Sequence, residues 1–209
     1  MADTALRAHL LELAGCRACP RMIGPVVPPP PVRSPVYLVG QAPGPREGAL
    51  GRPFAWTAGR TLFRWFESIG ADEATVRARV YIAAVCRCFP GKAGSGGDRV
   101  PDPSEIAACS RWMAREIELQ RPQLVIPIGR LAIASVLGDL PLAEAVGSQR
   151  RATLFGHAAD VIALPHPSGA STWWKREPGL TLLPRALALI GAHPAWRSIA
   201  GSSDAARSA

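Results

Sequence analysis

No apolar stretch in this chain of 209 residues approaches the ~18 to 20 that a membrane-spanning helix needs. That excludes a helical membrane protein. Nor does an apolar block ending in a cleavage site follow the first residues, where Asp3 and Arg7 come early, so a cytoplasmic location is expected. Cysteine is scarce, at five residues, and thiols of a cytoplasmic protein stay reduced, so a disulfide framework is not expected in a chain long enough to bury a core without staples. No internal repeat occurs. Acidic residues are outnumbered, 16 against 24 basic, for a net charge of +8, and the basic residues are nearly all arginine. Arginine's planar fork suits phosphate, and a positive field draws polyanions, so nucleic acid is the first partner to test.

What is present alternates strand and helix patterns. Residues 3 to 15 read as a short amphipathic helix, and the prolines between Pro25 and Pro35 enforce an extended connector. Apolar runs at 36–39, 80–85, 124–128, 152–155 and 160–164 read as strands, and helices are expected from Thr57, from Pro103, over 130–137 and over 179–191. Residues 89 to 102, rich in glycine, read as a loop. The expected architecture is α/β: a three-layer α/β/α sandwich around a mainly parallel, four-stranded sheet, forming one domain over residues 1–200. The tail at 201–209, with serine, alanine and few apolar groups, is expected to be disordered.

Two loops follow buried strands: Gly40-Gln41-Ala42-Pro43-Gly44 running on to Gly51-Arg52-Pro53-Phe54, and His166-Pro167-Ser168-Gly169. Ligands of open α/β sheets sit beyond the carboxyl ends of the strands, so these loops can form two walls of one cleft. Among the cysteines, Cys16 and Cys19 form a C-x2-C pair, followed by Cys88 and Cys109, with Cys86 left over. Reduced thiols in such a set suit a metal site, either tetrahedral zinc or an iron–sulfur cluster, and spacing alone does not choose between them. Cys86 and Cys88 are two apart at a strand end and face the same side.

Six motifs occur in the order found in one known family: Cys16-x2-Cys19-x-Arg21, Val39-Gly40-x-Ala42-Pro43-Gly44, Gly51-Arg52-Pro53-Phe54, Tyr81-Ile82 leading to Cys88, Pro101-x-Pro103-x-Glu105 leading to Cys109, and His166-Pro167-Ser168. The chain resembles the uracil-DNA glycosylase superfamily, and within it the iron–sulfur branch often called family 4. The resemblance implies a structural [4Fe–4S] cluster on Cys16, Cys19, Cys88 and Cys109. It implies that Phe54 stacks on a flipped uracil and that His166 faces the base. Gly40, Ala42, Gly44, Ala84 and Ser168 would line the base pocket. The loop carrying Gly169, Ser171, Trp173, Trp174, Lys175 and Arg176 would enter the minor groove, with the two tryptophans suited to intercalation and the two cations to phosphate.

The chain departs from that pattern at three places. Gln41 stands where family 4 has a glutamate, and Ala84 stands where it has the asparagine that reads the uracil edge. Thr57 stands where the related family 5 has an aspartate. Glutamine can orient a water but neither takes its proton usefully nor offsets a cation. Glu47 becomes the remaining carboxylate expected to hold water or balance the sugar charge, beside His166 and Gln41 as the catalytic set. A third branch captures uracil covalently through a histidine before its last cysteine, and residues 89 to 108 contain none. The expected function is a monofunctional, monomeric glycosylase that excises uracil or related deaminated bases from DNA in the nucleoid. The alternative is a non-catalytic or very slow binder of damaged DNA.

Overall fold

The computed structural model describes residues 4–94 and 96–201. Apart from Gly201, the expected tail lies outside them. Helix α1 (Thr4–Ala14) leads through the proline connector to strand β1 (Val36–Gly40). The short α2 (Glu47–Leu50), α3 (Thr57–Glu67) and α4 (Glu73–Arg79) precede β2 (Tyr81–Ala84). Then come α5 (Pro103–Gln120), β3 (Leu124–Pro127), α6 (Arg130–Leu137) and α7 (Leu142–Ala145). A hairpin of β4 (Gln149–Leu154) and β5 (His157–Ile162), α8 (Gly179–Ala192) and α9 (Pro194–Ala200) complete the order. Among the described residues no helix is long and apolar enough to cross a membrane.

The strands form one sheet in the order β2-β1-β3-β5-β4, parallel except for β4. Among the described residues the sheet therefore has five strands rather than the four expected. The extra member is an antiparallel edge strand whose first three residues, Gln149, Arg150 and Arg151, are exposed, so hydrophobicity under-reports it. Its hairpin turns at Phe155 and Gly156, both at positive φ (48° and 81°), the geometry that matches strand twist in a two-residue turn. The strands thus lie at 149–154 and 157–162 instead of 152–155 and 160–164.

Period-two alternation sorts the sheet residues onto two cores. Val36, Leu38, Ile82, Leu124, Ile126 and Ile162 meet α3, α4, α8 and α9, while Tyr37, Val39, Tyr81, Val125 and Val161 meet α1 and α5. This is the three-layer sandwich. Helix α5 begins with a full capping box, in which the Asp102 side chain accepts from the Glu105 N–H (3.0 Å) and the Glu105 carboxylate accepts from the Asp102 N–H (2.9 Å). Pro103 occupies its first turn, where the missing N–H costs nothing.

Candidate active site

Strands β1 and β3 are neighbours, yet β1 is followed in the chain by β2 on its other side, so the chain's direction of travel reverses between them. Open parallel sheets place ligands at such a switch point, beyond the carboxyl ends of the strands. Both expected walls arrive there. The ring of Phe54 lies on Gly40, the last residue of β1, so closely that a Cβ on Gly40 would stand 2.8 Å from Phe54 Cζ. The ring of His166 lies on Gly129, just beyond β3, where a Cβ would stand 3.1 Å from His166 Cδ2. Gly40 is in register with Ala84 at the end of β2, which brings the buried Ala84 to the same end of the sheet.

Phe54 occupies the left-handed region (φ 52°), which a bulky residue holds only when its surroundings over-determine it. Three groups do so. Arg77, on α4, forks onto consecutive carbonyls, donating from Nη1 to Pro53 O (3.1 Å) and from Nη2 to Phe54 O (2.9 Å). Its guanidinium also covers the Phe63 ring at 4.5 Å and pairs with Glu73 at 2.7 Å. Gly59 admits the Phe54 carbonyl where any Cβ would collide, 1.8 Å away. Glu47 accepts from Gly44 N–H through Oε2 (3.2 Å) and from Ala55 N–H through Oε1 (3.1 Å), stapling the start of the loop to its end. Burial pushes the Glu47 pKa up, against the lowering pull of those N–H groups and of Arg77. Each of its oxygens is engaged by the backbone.

The half-buried His166 accepts a hydrogen bond at Nδ1 from the Ser168 N–H (3.2 Å). A neutral ring then carries its proton on Nε2, which makes that atom a donor. Burial lowers the His166 pKa, while the nearby carboxylate of Asp98 raises it. Gln41 and Ala42 are half-buried in the first loop, where the Gln41 carbonyl accepts from Cys86 N–H (3.0 Å) and the Gly40 carbonyl from Val85 N–H (2.8 Å). These bonds prolong the β1–β2 ladder and fix the loop's take-off.

The second loop divides. Gly169, Lys175 and Arg176 are exposed, whereas Ser171, Trp173 and Trp174 are half-buried. Trp173 and Trp174 pack against the core on the α3 side, Trp174 edge-on to Trp65 with centroids 5.3 Å apart. A Cβ on Gly179 would stand 2.2 Å from the Trp173 carbonyl oxygen, which pins the turn to α8. The exposed tryptophan near the cleft is Trp56, two residues after Phe54, with Arg46 stacked 4.2 Å above its ring. Sequence reasoning missed Arg77, Asp98 and Trp56. Trp56 adjoins a motif and could have been found, but Arg77 sits on a helix that showed no clear pattern and Asp98 in a loop without periodicity.

Cys16, Cys19, Cys88 and Cys109 line one cavity of about 340 Å³ between α1, α5 and the end of β2, together with Arg87 and Trp112. Cys86 is buried outside that lining, and its thiol hydrogen bond chiefly holds the Cys109 thiol below the ordinary range. Among the described residues no three His, Cys, Asp or Glu side chains converge closely enough to hold a single metal ion. The donors on the wall fit an anionic group: Arg87 Nε and Nη1 and Trp112 Nε1 are buried with no hydrogen-bond partner among the described residues. Arg87 Nη2 meets Glu116 at 2.5 Å, and Tyr37 donates to the same carboxylate oxygen at 2.6 Å.

Comparison with known proteins gives the family. The chain is 32% identical over 138 residues to a type-4 uracil-DNA glycosylase of Archaeoglobus fulgidus, covering 64% of this chain and 65% of that protein. A type-4 uracil-DNA glycosylase of Saccharolobus solfataricus is 29% identical over 140 residues, covering 65% and 61%. A type-5 uracil-DNA glycosylase of Thermus thermophilus is 28% identical over 194 residues, covering 78% and 81%. The match thus spans slightly less than two thirds of the two type-4 relatives. The family model described as the uracil DNA glycosylase superfamily matches residues 29–198, from the proline connector to the last helix, and the chain belongs to that superfamily.

Proposed function

We propose that this chain is a monofunctional DNA glycosylase that takes uracil, or a related deaminated base, out of the DNA stack and hydrolyses its N-glycosidic bond, initiating base excision repair in the nucleoid. The observation that carries this reading is the pairing of an aromatic ring on Gly40 with a neutral imidazole on Gly129, at the carboxyl ends of two adjacent strands. An enzyme acting on a base in duplex DNA must extrude it, and stacking on the Phe54 ring returns part of the lost energy. Bond cleavage leaves negative charge on the base, which the Nε2 proton of His166 and backbone N–H groups around Gln41, Ala42 and Gly44 stabilise. Ser168 holds the imidazole's tautomer and Gln41 orients water. Glu47 serves the reaction by fixing the loop, because both its oxygens are engaged there. Ala84, beside Gly40, offers no hydrogen bond to a base edge, which suits a pocket of relaxed base choice.

On this reading Gly169, Lys175 and Arg176 face the minor groove and its phosphates, while Ser171, Trp173 and Trp174 support that loop from the core side. The protein acts as a monomer, and residues 1–200 work as one domain. Cys16, Cys19, Cys88 and Cys109 would hold a [4Fe–4S] cluster, which when bound cross-links the segment after α1, the end of β2 and α5. The unpartnered N–H groups of Arg87 and Trp112 support that assignment, since thiolate-bound clusters are anionic. The test is release of free base from duplexes carrying uracil, hypoxanthine, xanthine or hydroxymethyluracil. Wild-type chain is expected to leave abasic sites, and His166→Ala to slow the reaction by about 100-fold, the loss typical of one removed oxyanion donor. Tight binding to such duplexes with no base released from any of them would reject catalysis in favour of a damaged-DNA binder.

A further inference from the structure

We propose that Asp98 is the catalytic carboxylate of this cleft, accepting the proton of the attacking water and facing the cationic sugar that Gln41 and Thr57 leave without a counter-charge. The inference rests on the glycosylase reading above and assigns a residue within it. Asp98 ends a small hairpin in the glycine-rich loop before α5, where Lys92 and Asp98 form an antiparallel bridge. Ala93 N–H donates to Gly97 O (2.8 Å) and Arg99 N–H to Gly91 O (2.9 Å). Arg99 anchors the hairpin's base, donating to Pro90 O (2.8 Å) and forking onto both oxygens of Glu105 (2.7 and 2.8 Å). The hairpin is therefore tied to the start of α5, and its direction is set.

Within it the two carboxylate oxygens of Asp98 have different surroundings. Oδ1 accepts from Lys92 Nζ at 2.6 Å in an exposed ion pair. Oδ2 has no protein hydrogen bond among the described residues and lies 4.0 Å from the point where a side chain on Gly44 would begin. Gly44 closes the loop that starts at Gly40. The charge of Asp98 also reaches His166 on the opposite wall, where it favours the protonated ring. An exposed carboxylate this close to Gly44, whose charge reaches His166, stands at the mouth of the space between the two walls. Glu47 does not compete for this task, because Gly44 and Ala55 occupy its oxygens.

The step balances without any further reagent. The oxygen of one water attacks C1′ of the deoxyribose, and the C1′–N1 bond breaks. Its electron pair leaves on the base, whose oxygen is held by the Nε2 proton of His166. The proton lost by the water passes to Asp98 Oδ2, and Asp98 returns it to N1 of the base or to solvent. General-base catalysis of this kind contributes about 10²- to 10⁴-fold.

The experiment compares wild type, Asp98→Asn and Lys92→Met in single-turnover base release from a uracil duplex. The midpoint of the His166 imidazole titration is read in parallel by NMR and assigned with His166→Gln. Asp98→Asn is expected to slow base release at least 100-fold at saturating enzyme, with duplex affinity kept and the His166 midpoint moved to lower pH. Lys92→Met is expected to fall between Asp98→Asn and wild type, since it removes the partner of Oδ1 but keeps the carboxylate. If wild type releases base and Asp98→Asn does so within threefold of its rate, the role of Asp98 is wrong while the glycosylase reading stands. An unmoved His166 midpoint refutes the placement of Asp98 in the cleft, whatever the rates. Should wild type release no base at all, the glycosylase reading fails and the catalytic role of Asp98 falls with it.

Discussion

His166 shows how one side chain is tuned by position. Burial disfavours its charged form, and the Ser168 N–H at Nδ1 disfavours it further because that nitrogen must remain an acceptor. The folded chain therefore binds fewer protons at this ring than the unfolded chain does, from about pH 6.5 down to the lowered value. The stability associated with the neutral ring is complete above about pH 6.5 and is lost as the pH falls through that window. Urea unfolding of wild type and His166→Gln between pH 7 and pH 5 checks this: wild type should lose more stability on acidification. Parallel curves would mean that the ring is neither buried nor held neutral. None of this tuning is legible in the letters His-Pro-Ser. The motif announces an imidazole at a strand end, but its burial depends on Gly129, which is remote in the chain and supplies the floor beneath it.

At the scale of elements, α4 and the Phe54 loop form a unit that exists through Arg77. The helix is seven residues long, capped by Asp72 on Thr75 N–H (2.8 Å), and its half-buried Arg77 donates to the carbonyls of Pro53 and Phe54. Removing that fork by Arg77→Met leaves two half-buried carbonyls short of donors and relaxes the loop toward ordinary φ. Base release should drop roughly tenfold, equivalent to about 1.4 kcal/mol, the scale of one hydrogen bond to a charged group. The same change made on Phe54→Ala should add little further loss, because the residue it positions is already gone. Additive effects would show that Arg77 acts elsewhere. Elements with strong periodicity or clear punctuation could be read directly. Helix α6 lies at the expected 130–137, and α5 starts at Pro103 behind its capping box. Helix α9 escaped because it is only seven residues long, opens on the proline of a His-Pro pair and is mostly small or polar. Its anchor is tertiary: Trp196 is fully buried against Phe66 and donates to Ile69 O at 3.1 Å.

Across the whole molecule, the layer of α1 and α5 is joined to the sheet by a buried polar knot. Glu116 of α5 meets Arg87 beyond β2, Tyr37 of β1 and, at 3.6 Å, His9 of α1. Burial pushes the Glu116 pKa up, yet Arg87 and the hydrogen bonds of its neighbours more than reverse this and hold it low. Because Arg87 also lines the cysteine cavity, the knot lies beneath that cavity. Glu116→Gln strands a buried guanidinium and should cost about 3–5 kcal/mol, read as a lower urea midpoint. Replacing both partners, Arg87→Met with Glu116→Leu, should recover much of that loss, since two apolar groups leave no buried charge unpaired. A double variant no more stable than the single one would show that the rest of the knot depends on the ion pair.

The antiparallel strand β4 has a consequence for how copies of this molecule meet. It leaves one margin of the sheet open, and a bare margin of backbone N–H and C=O groups invites another chain to add on. Here Arg150 and Arg151 are exposed along that margin, Arg150 donating to Glu144 O (3.0 Å) and Arg151 paired with Asp160 (3.0 Å). Two copies approaching edge to edge would bring guanidinium against guanidinium, and the repulsion discourages fibre-like stacking while leaving the margin attractive to a polyanion.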